Sequence, residues 1–296
     1  MKSLDRKFKA VDIFYIVMMI LPFLIGVVLK ILTKPLSDEI KVAGADIYFT
    51  VKMPFQDFPI TEAQVNSALV MIVIFFFCLY MTHGLKEKIT LKRQHFAELI
   101  VEKADGLVKE NMGEFFIGFS PFIIAILALS AISSLTSLLG LFPPTSDINI
   151  VGGWAILVFI LITYYKLKCG PLNYLKGFTE PVTILAPINF ISEFATPISM
   201  AFRHYGNILS GTVISVLLAS ALGGLSSMLL SSLPGFLADI PIFQVGIPAV
   251  LSIYFDVFSG CLQAFIFAML TMLNISGGFS LETYNERKLR KTKKQK

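Results

Sequence analysis

The chain has 296 residues, 55% of them hydrophobic and 15% charged, with a mean hydropathy of +0.75. A soluble domain carries about 25% charge, so this composition excludes an ordinary soluble enzyme and defines a polytopic membrane protein, for which length does not count domains. The net charge of +5 belongs to topology rather than to nucleic-acid binding, because the basic residues are distributed by side of the membrane, as follows.

Apolar runs of about 17 residues or more mark candidate spans. The first is about 13–32, preceded by a basic N-terminus. Its length, and Lys30 and Lys34 where a signal peptide would carry a cleavage site, identify it as a retained anchor. A polar segment, 34–62, leads to a second run at about 65–83, and a charged loop covers 86–114. There Phe96, Leu99, Ile100 and Leu107 share a face, predicting an amphipathic helix on the cytoplasmic surface. The third run, 115–142, ends at the breaker cluster Pro143-Pro144-Thr145-Ser146-Asp147, and the fourth covers about 150–165. The last two, 184–233 and 237–277, are far longer than the roughly 20 residues a crossing needs. Each must tilt steeply or break into two; a hairpin of two tilted helices is expected. With the N-terminus inside, twenty of the 25 Lys and Arg fall on the cytoplasmic side and four outside. That asymmetry predicts six crossings with both termini cytoplasmic.

Arg203 is the remaining cation, and the only Lys or Arg between Gly177 and Glu286. A cation near the bilayer centre costs roughly 2.5–3.5 kcal/mol on insertion scales, so it implies a partner or a water-filled cavity. Read as a helix, its surroundings align Asn189, Glu193, Thr196, Ser199, Arg203, Asn207 and Ser210 at spacings of 4, 3, 3, 4, 4 and 3, one continuous polar face. The last run repeats the pattern with Ser252, Asp256, Ser259 and Gln263, spaced 4, 3 and 4. Ser, Thr and Asn also serve as glue between membrane helices, but a stripe centred on an Arg reads as a functional face. Asp256 suits proton or ion handling, or the plainer role of counterion to Arg203. Glu193 lies about 15 Å from Arg203 along an ideal helix, out of contact and towards the cytoplasmic end, where it suits a polar vestibule. His204 points about 100° away from Arg203 and is expected to be structural. Cys78, Cys169 and Cys261 form neither a disulfide framework nor a metal site. No phosphate loop, zinc motif or nucleophile elbow is present, so no metal, no cofactor and no catalytic residue is expected.

These residues resemble a known family. Pro197-Ile198-Ser199-Met200-Ala201-Phe202-Arg203-His204-Tyr205-Gly206-Asn207, with Ser210-Gly211, is similar to the signature of subunit a of F-type ATP synthases. So are Glu193-Phe194-Ala195, Leu262-Gln263-Ala264-Phe265-Ile266-Phe267 and the turn Pro144-Thr145-Ser146-Asp147-Ile148-Asn149. The resemblance covers about 61–276. It implies a non-catalytic stator subunit with two offset half-channels carrying protons or Na⁺ to and from a rotating ring of c subunits, alongside a b-subunit stalk in a bacterial plasma membrane. Arg203 would hold the unloaded ring carboxylate and block leakage; Ser199, Asn207, Ser210, Glu193, Asp256, Ser259 and Gln263 would line the ion route. The expected division is 1–62 as an extra anchor and external segment, 63–280 as the translocating domain and 281–296 as a basic cytoplasmic tail. Three positions depart from the pattern: Thr212 and Asp256 stand where many members carry an acidic residue or His, and a His or Glu, and Gly140 where some members carry a carboxylate. The outer route would then rest on Asp256, hydroxyls and water. The rival expectation is a self-contained channel or secondary transporter with Arg203 as an anion-binding group.

Overall fold

The computed structural model describes residues 10–33, 44–54, 56–85, 92–179, 183–230, 250–251, 253–285 and 287. Residues 231–249, which include the first part of the last expected run, most of the basic tail, and Ser252 lie outside the described residues. The protein is an all-α polytopic membrane protein. Six described segments are long and apolar enough to cross a membrane: Val11–Thr33, Glu62–Thr82, Glu114–Leu139, Ile148–Cys169, Thr183–Leu229 and Ile253–Gly277. Each overlaps one of the six expected runs, the last of which, 237–277, is described over Ile253–Gly277.

The chain divides into two compact units, Met1–Ile100 with Ala128–Asp147 and Gly206–Gln263, and Val101–Leu127 with Ile148–Tyr205 and Ala264–Lys296. In the first, helix α1 (Ala10–Thr33) packs along α2 (Glu62–Thr82). Gly26 permits the close approach, since a Cβ there would stand 3.1 Å from Leu69. An ion pair fastens each end of α1. Asp12 meets Arg93 at 2.8 Å, and Lys30 meets Glu62 at 3.2 Å. Arg93 also donates to the His83 carbonyl. The polar segment contains a small antiparallel hairpin, β1 (Ile47–Val51) with β2 (Phe58–Thr61), which its polar reading did not anticipate. It leads straight into α2, where Thr61 and Gln64 form a capping box that satisfies two orphan backbone N–H groups. Glu62, though charged, is buried. Its carboxylate accepts from Phe142 N at 3.0 Å while Asn66 donates to Phe142 O at 2.9 Å, so α2 grips both backbone groups of the turn before Pro143. Gly140, at φ 72°, takes the left-handed conformation that ends the short turn Thr136–Leu139.

In the second unit the core joins Phe116, Ile123, Val158, Met200, Phe267 and Met272. They come from the Glu114–Phe119 turn, α4 (Ser120–Leu135), α5 (Ile148–Cys169), α7 (Ala186–Leu230) and α8 (Gly260–Gly277). The charged loop does form a helix, α3 (Lys92–Met112), but its buried apolar positions are Ala104, Val108 and Met112, with Gln94 buried as well, whereas Phe96 and Leu99 are exposed. The face inferred from Phe96 and Leu99 is therefore outward, as an apolar face towards lipid would be. The short helix α6 (Pro171–Thr179) follows α5. Arg287 donates to the Leu167 and Lys168 carbonyls at 2.9 and 3.0 Å, placing a cation on the unsatisfied C-terminal carbonyls of α5.

Candidate functional site

Helix α7 carries most of the expected site. It runs unbroken for 45 residues through Pro197 and the Gly223-Gly224 pair. At 1.5 Å per residue that is about 68 Å, roughly twice the ~30 Å hydrocarbon core, so of the two expected outcomes for this run, tilting rather than breaking is the one its length requires. Pro197 withholds the N–H that would bond the Glu193 carbonyl, and it sits buried beside the polar end of the helix.

At that end, in the second unit, lies a cavity of about 480 Å³ lined by Lys166, Tyr174, Asn189, Ser192, Glu193 and Thr196 among others. Glu193 binds Lys166 Nζ through both oxygens, at 2.8 and 2.6 Å, and the Tyr174 hydroxyl lies 3.5 Å away. Asn189 is turned to the Phe178 carbonyl at 2.9 Å. Burial, and then the Glu193 carboxylate, push the Tyr174 phenol above its ordinary value. Sequence reasoning missed Lys166 and Tyr174. Lys166 was visible only as a topological charge, and no spacing rule links it to a carboxylate 27 residues on.

Further along α7 the exposed face carries Ser199, Phe202 and Arg203, with Ile198 beside them, while Met200, Ala201 and His204 are buried. Ile198 is 55% and Phe202 60% exposed, so the guanidinium stands in an open apolar surface. Among the described residues Arg203 forms no ion pair. His204 is wholly buried against Trp154 and Phe267, at centroid distances of 6.1 and 5.5 Å, and so belongs to the packing of this unit.

The first unit holds the remaining candidates. Asn207 Nδ2 donates to Ser259 Oγ at 2.8 Å and Ser259 Oγ donates back to Asn207 Oδ1 at 3.2 Å. Ser210 is exposed, its hydroxyl donating to the Asn207 carbonyl at 3.0 Å. Gln263 is buried and Asp256 half-buried. The structure thus joins Asn207 to Ser259 and Ser210. The polar face of the last helix is not the regular one its spacing suggests, because Ile253–Ser259 is a π-turn and regular α-helix resumes at Gly260.

Among the described residues, six long apolar segments, one of them a 45-residue helix with Arg203 on its exposed face and the last carrying Asp256 and Gln263, define a multi-pass membrane protein. The sequence model of the family described as ATP synthase A chain matches residues 65–276. The chain is 32% identical over 213 residues to the ATP synthase subunit a of Anoxybacillus flavithermus (strain DSM 21510 / WK1), covering 68% of this chain and 84% of that one. It is 32% identical over 231 residues to ATP synthase subunit a of Priestia megaterium (strain ATCC 12872 / QMB1551), covering 73% and 92%. With the "ATP synthase subunit a, sodium ion specific" of Propionigenium modestum it shares 35% identity over 144 residues, 48% of this chain and 43% of that protein. The chain belongs to the ATP synthase A chain family, and its role is that of a membrane-sector, ion-translocating subunit. Helix α1 lies outside the matched region.

Proposed function

We propose that this chain is the stator of the membrane motor, a non-catalytic subunit that offers two offset half-channels to a rotating c-ring and is held by a b-subunit stalk. Ions enter from outside along a route that includes Asp256, Ser259, Asn207 and Gln263, load a ring carboxylate, and leave to the cytoplasm past Ser199 and the Glu193 cavity after nearly a full turn. Arg203 attracts the unloaded ring carboxylate and, being a fixed cation between the two routes, repels any ion that would pass directly. Each charge moving through 100 mV releases about 2.3 kcal/mol, which drives rotation. The membrane is a bacterial plasma membrane, with both termini cytoplasmic.

The observation that carries this reading is Arg203 itself: exposed on an apolar face and, among the described residues, without an ion pair. A guanidinium so placed in a membrane needs an anion, and a carboxylate on a neighbouring chain supplies it. The similarity to a relative named sodium ion specific makes Na⁺ a candidate beside the proton. Site-directed cross-linking tests the interface. With Cys78, Cys169 and Cys261 replaced by Ser, Phe202→Cys should form a disulfide with a cysteine placed one turn from the ring carboxylate, and the bond should stop ATP-driven rotation until it is reduced. Absence of any cross-link along the ring helix would remove this face of α7 from the interface.

A further inference from the structure

A π-turn closes i→i+5 hydrogen bonds, so it encloses one residue more per turn than an α-helix, and such turns are rare and concentrated at functional sites. In a membrane-spanning segment a widened turn has a further cost, because backbone groups without partners find no water. The turn Ile253–Ser259, which contains Asp256, is held on several sides. Asn207 Nδ2 donates both to Ser259 Oγ, at 2.8 Å, and to the Ser259 carbonyl, at 3.5 Å, and Ser259 Oγ donates back at 3.2 Å. One turn along α7, Gly211 meets Phe255 so closely that a Cβ would stand 3.1 Å from its Cβ, Cγ and Cδ1 atoms. On the C-terminal side, a Cβ on Gly260 would stand 2.8 Å from Ser134 Cβ. The amide, the two glycines and Ser134 all belong to the first unit and meet this turn at close range.

We propose that Ser259, clasped by Asn207, is a positioning residue that locks the helical register of Asp256 relative to Gln263. The inference rests on the ion-entry role proposed above for Asp256. Seven residues apart in an unbroken α-helix, Asp256 and Gln263 would share a face to within about 20°. The extra residue of the π-turn rotates Asp256 by about one further residue, roughly 100°. Without the clasp, the extra residue is free to migrate along the helix and swing Asp256 by that angle. Asn207 and Ser259 therefore act on the ion through the carboxylate they place, in addition to any contact of their own.

The test uses the whole complex in membrane vesicles and measures ATP-driven ion uptake as a function of pH. Ser259→Ala should lower uptake about 5-fold and displace its pH profile, whereas Ser259→Thr, which keeps the hydroxyl, should restore both. In an Asp256→Asn background, itself slow in ion entry, adding Ser259→Ala should change uptake by less than about 2-fold, because there is no carboxylate left to position. Gly211→Ala, which presses on Phe255 without touching the hydrogen bonds, should displace the pH profile in the same way. Effects of Ser259→Ala and Asp256→Asn that simply multiply, or a pH profile unmoved by either Ser259→Ala or Gly211→Ala, would overturn the inference. So would failure of both variants to assemble even beside Asp256→Asn, which would make the contact one of folding alone. Arg203→Ala in the same vesicles reports on the wider reading. Uptake lost there but unchanged in Ser259→Ala sinks only the register lock; uptake retained in Arg203→Ala sinks the reading beneath it.

Discussion

At the scale of the residue, Arg203 and Glu193 show opposite uses of charge. Glu193 is held by Lys166 at 2.6 Å in a polar cavity, its needs met within one unit. Arg203 stands exposed on an apolar face. A planar guanidinium stays charged under nearly all conditions and can grip a carboxylate through two donors, whereas a desolvated lysine readily loses its proton. Arg203→Lys is therefore expected to lose at least about 10-fold of ATP-driven uptake despite its nominal charge, a loss of roughly 1.4 kcal/mol in coupling; full activity in the lysine variant would refute the guanidinium argument. Tyr174 offers a check on the cavity. Its phenol is raised above 10.0, chiefly by burial and then by Glu193. A raised phenol favours the folded state below its unfolded value, and that contribution is lost as the pH climbs through the folded one. Difference titration of the phenolate absorbance between the native chain and Tyr174→Phe should give a midpoint above 10.0. Glu193→Gln should lower it only in part, since burial remains; an ordinary midpoint in the native chain would mean that the phenol is neither buried nor beside Glu193.

At the scale of the element, what was legible in the sequence was whatever depends on a helix's own composition. The six described spans are helical because each is apolar for long enough, and the stripe from Asn189 to Ser210 could be read because α7 is regular. Features set by a neighbour were hidden. The π-turn at Ile253–Ser259 meets Gly211 and Asn207, which lie more than forty residues earlier in the chain. The burial of Glu62 depends on Lys30 and on the Phe142 N–H, and in the sequence Glu62 merely closes a polar segment. That pair fastens α1, a helix outside the family match, to the core of its unit. Removing one member of a fully buried ion pair strands the other at a cost of about 3–5 kcal/mol; Lys30 is partly exposed, so its loss costs less than that. Lys30→Ala should accordingly lower the thermal midpoint of the complex, and adding Glu62→Gln should recover much of the loss, because the stranded charge is gone. No recovery in the double variant would show that Glu62 is not stabilised by Lys30.

At the scale of the whole molecule, composition and charge distribution were sufficient for the class: a mean hydropathy of +0.75 and one cation in a long apolar stretch leave little but a membrane protein built around that cation. Partners are less legible, because the anion proposed for Arg203 is placed on another chain, which this sequence does not contain. The central claim is that Arg203 couples ion flow to the ring and prevents leakage between two routes. The most direct test is ion movement in vesicles holding the whole complex, native against Arg203→Ala, with and without ATP and with and without Na⁺. The account predicts that an assembled Arg203→Ala complex loses ATP-driven uptake and gains a passive leak without ATP, with the Na⁺ arm identifying the coupling ion. An assembled mutant that pumps as well as the native complex, and stays tight, would contradict it.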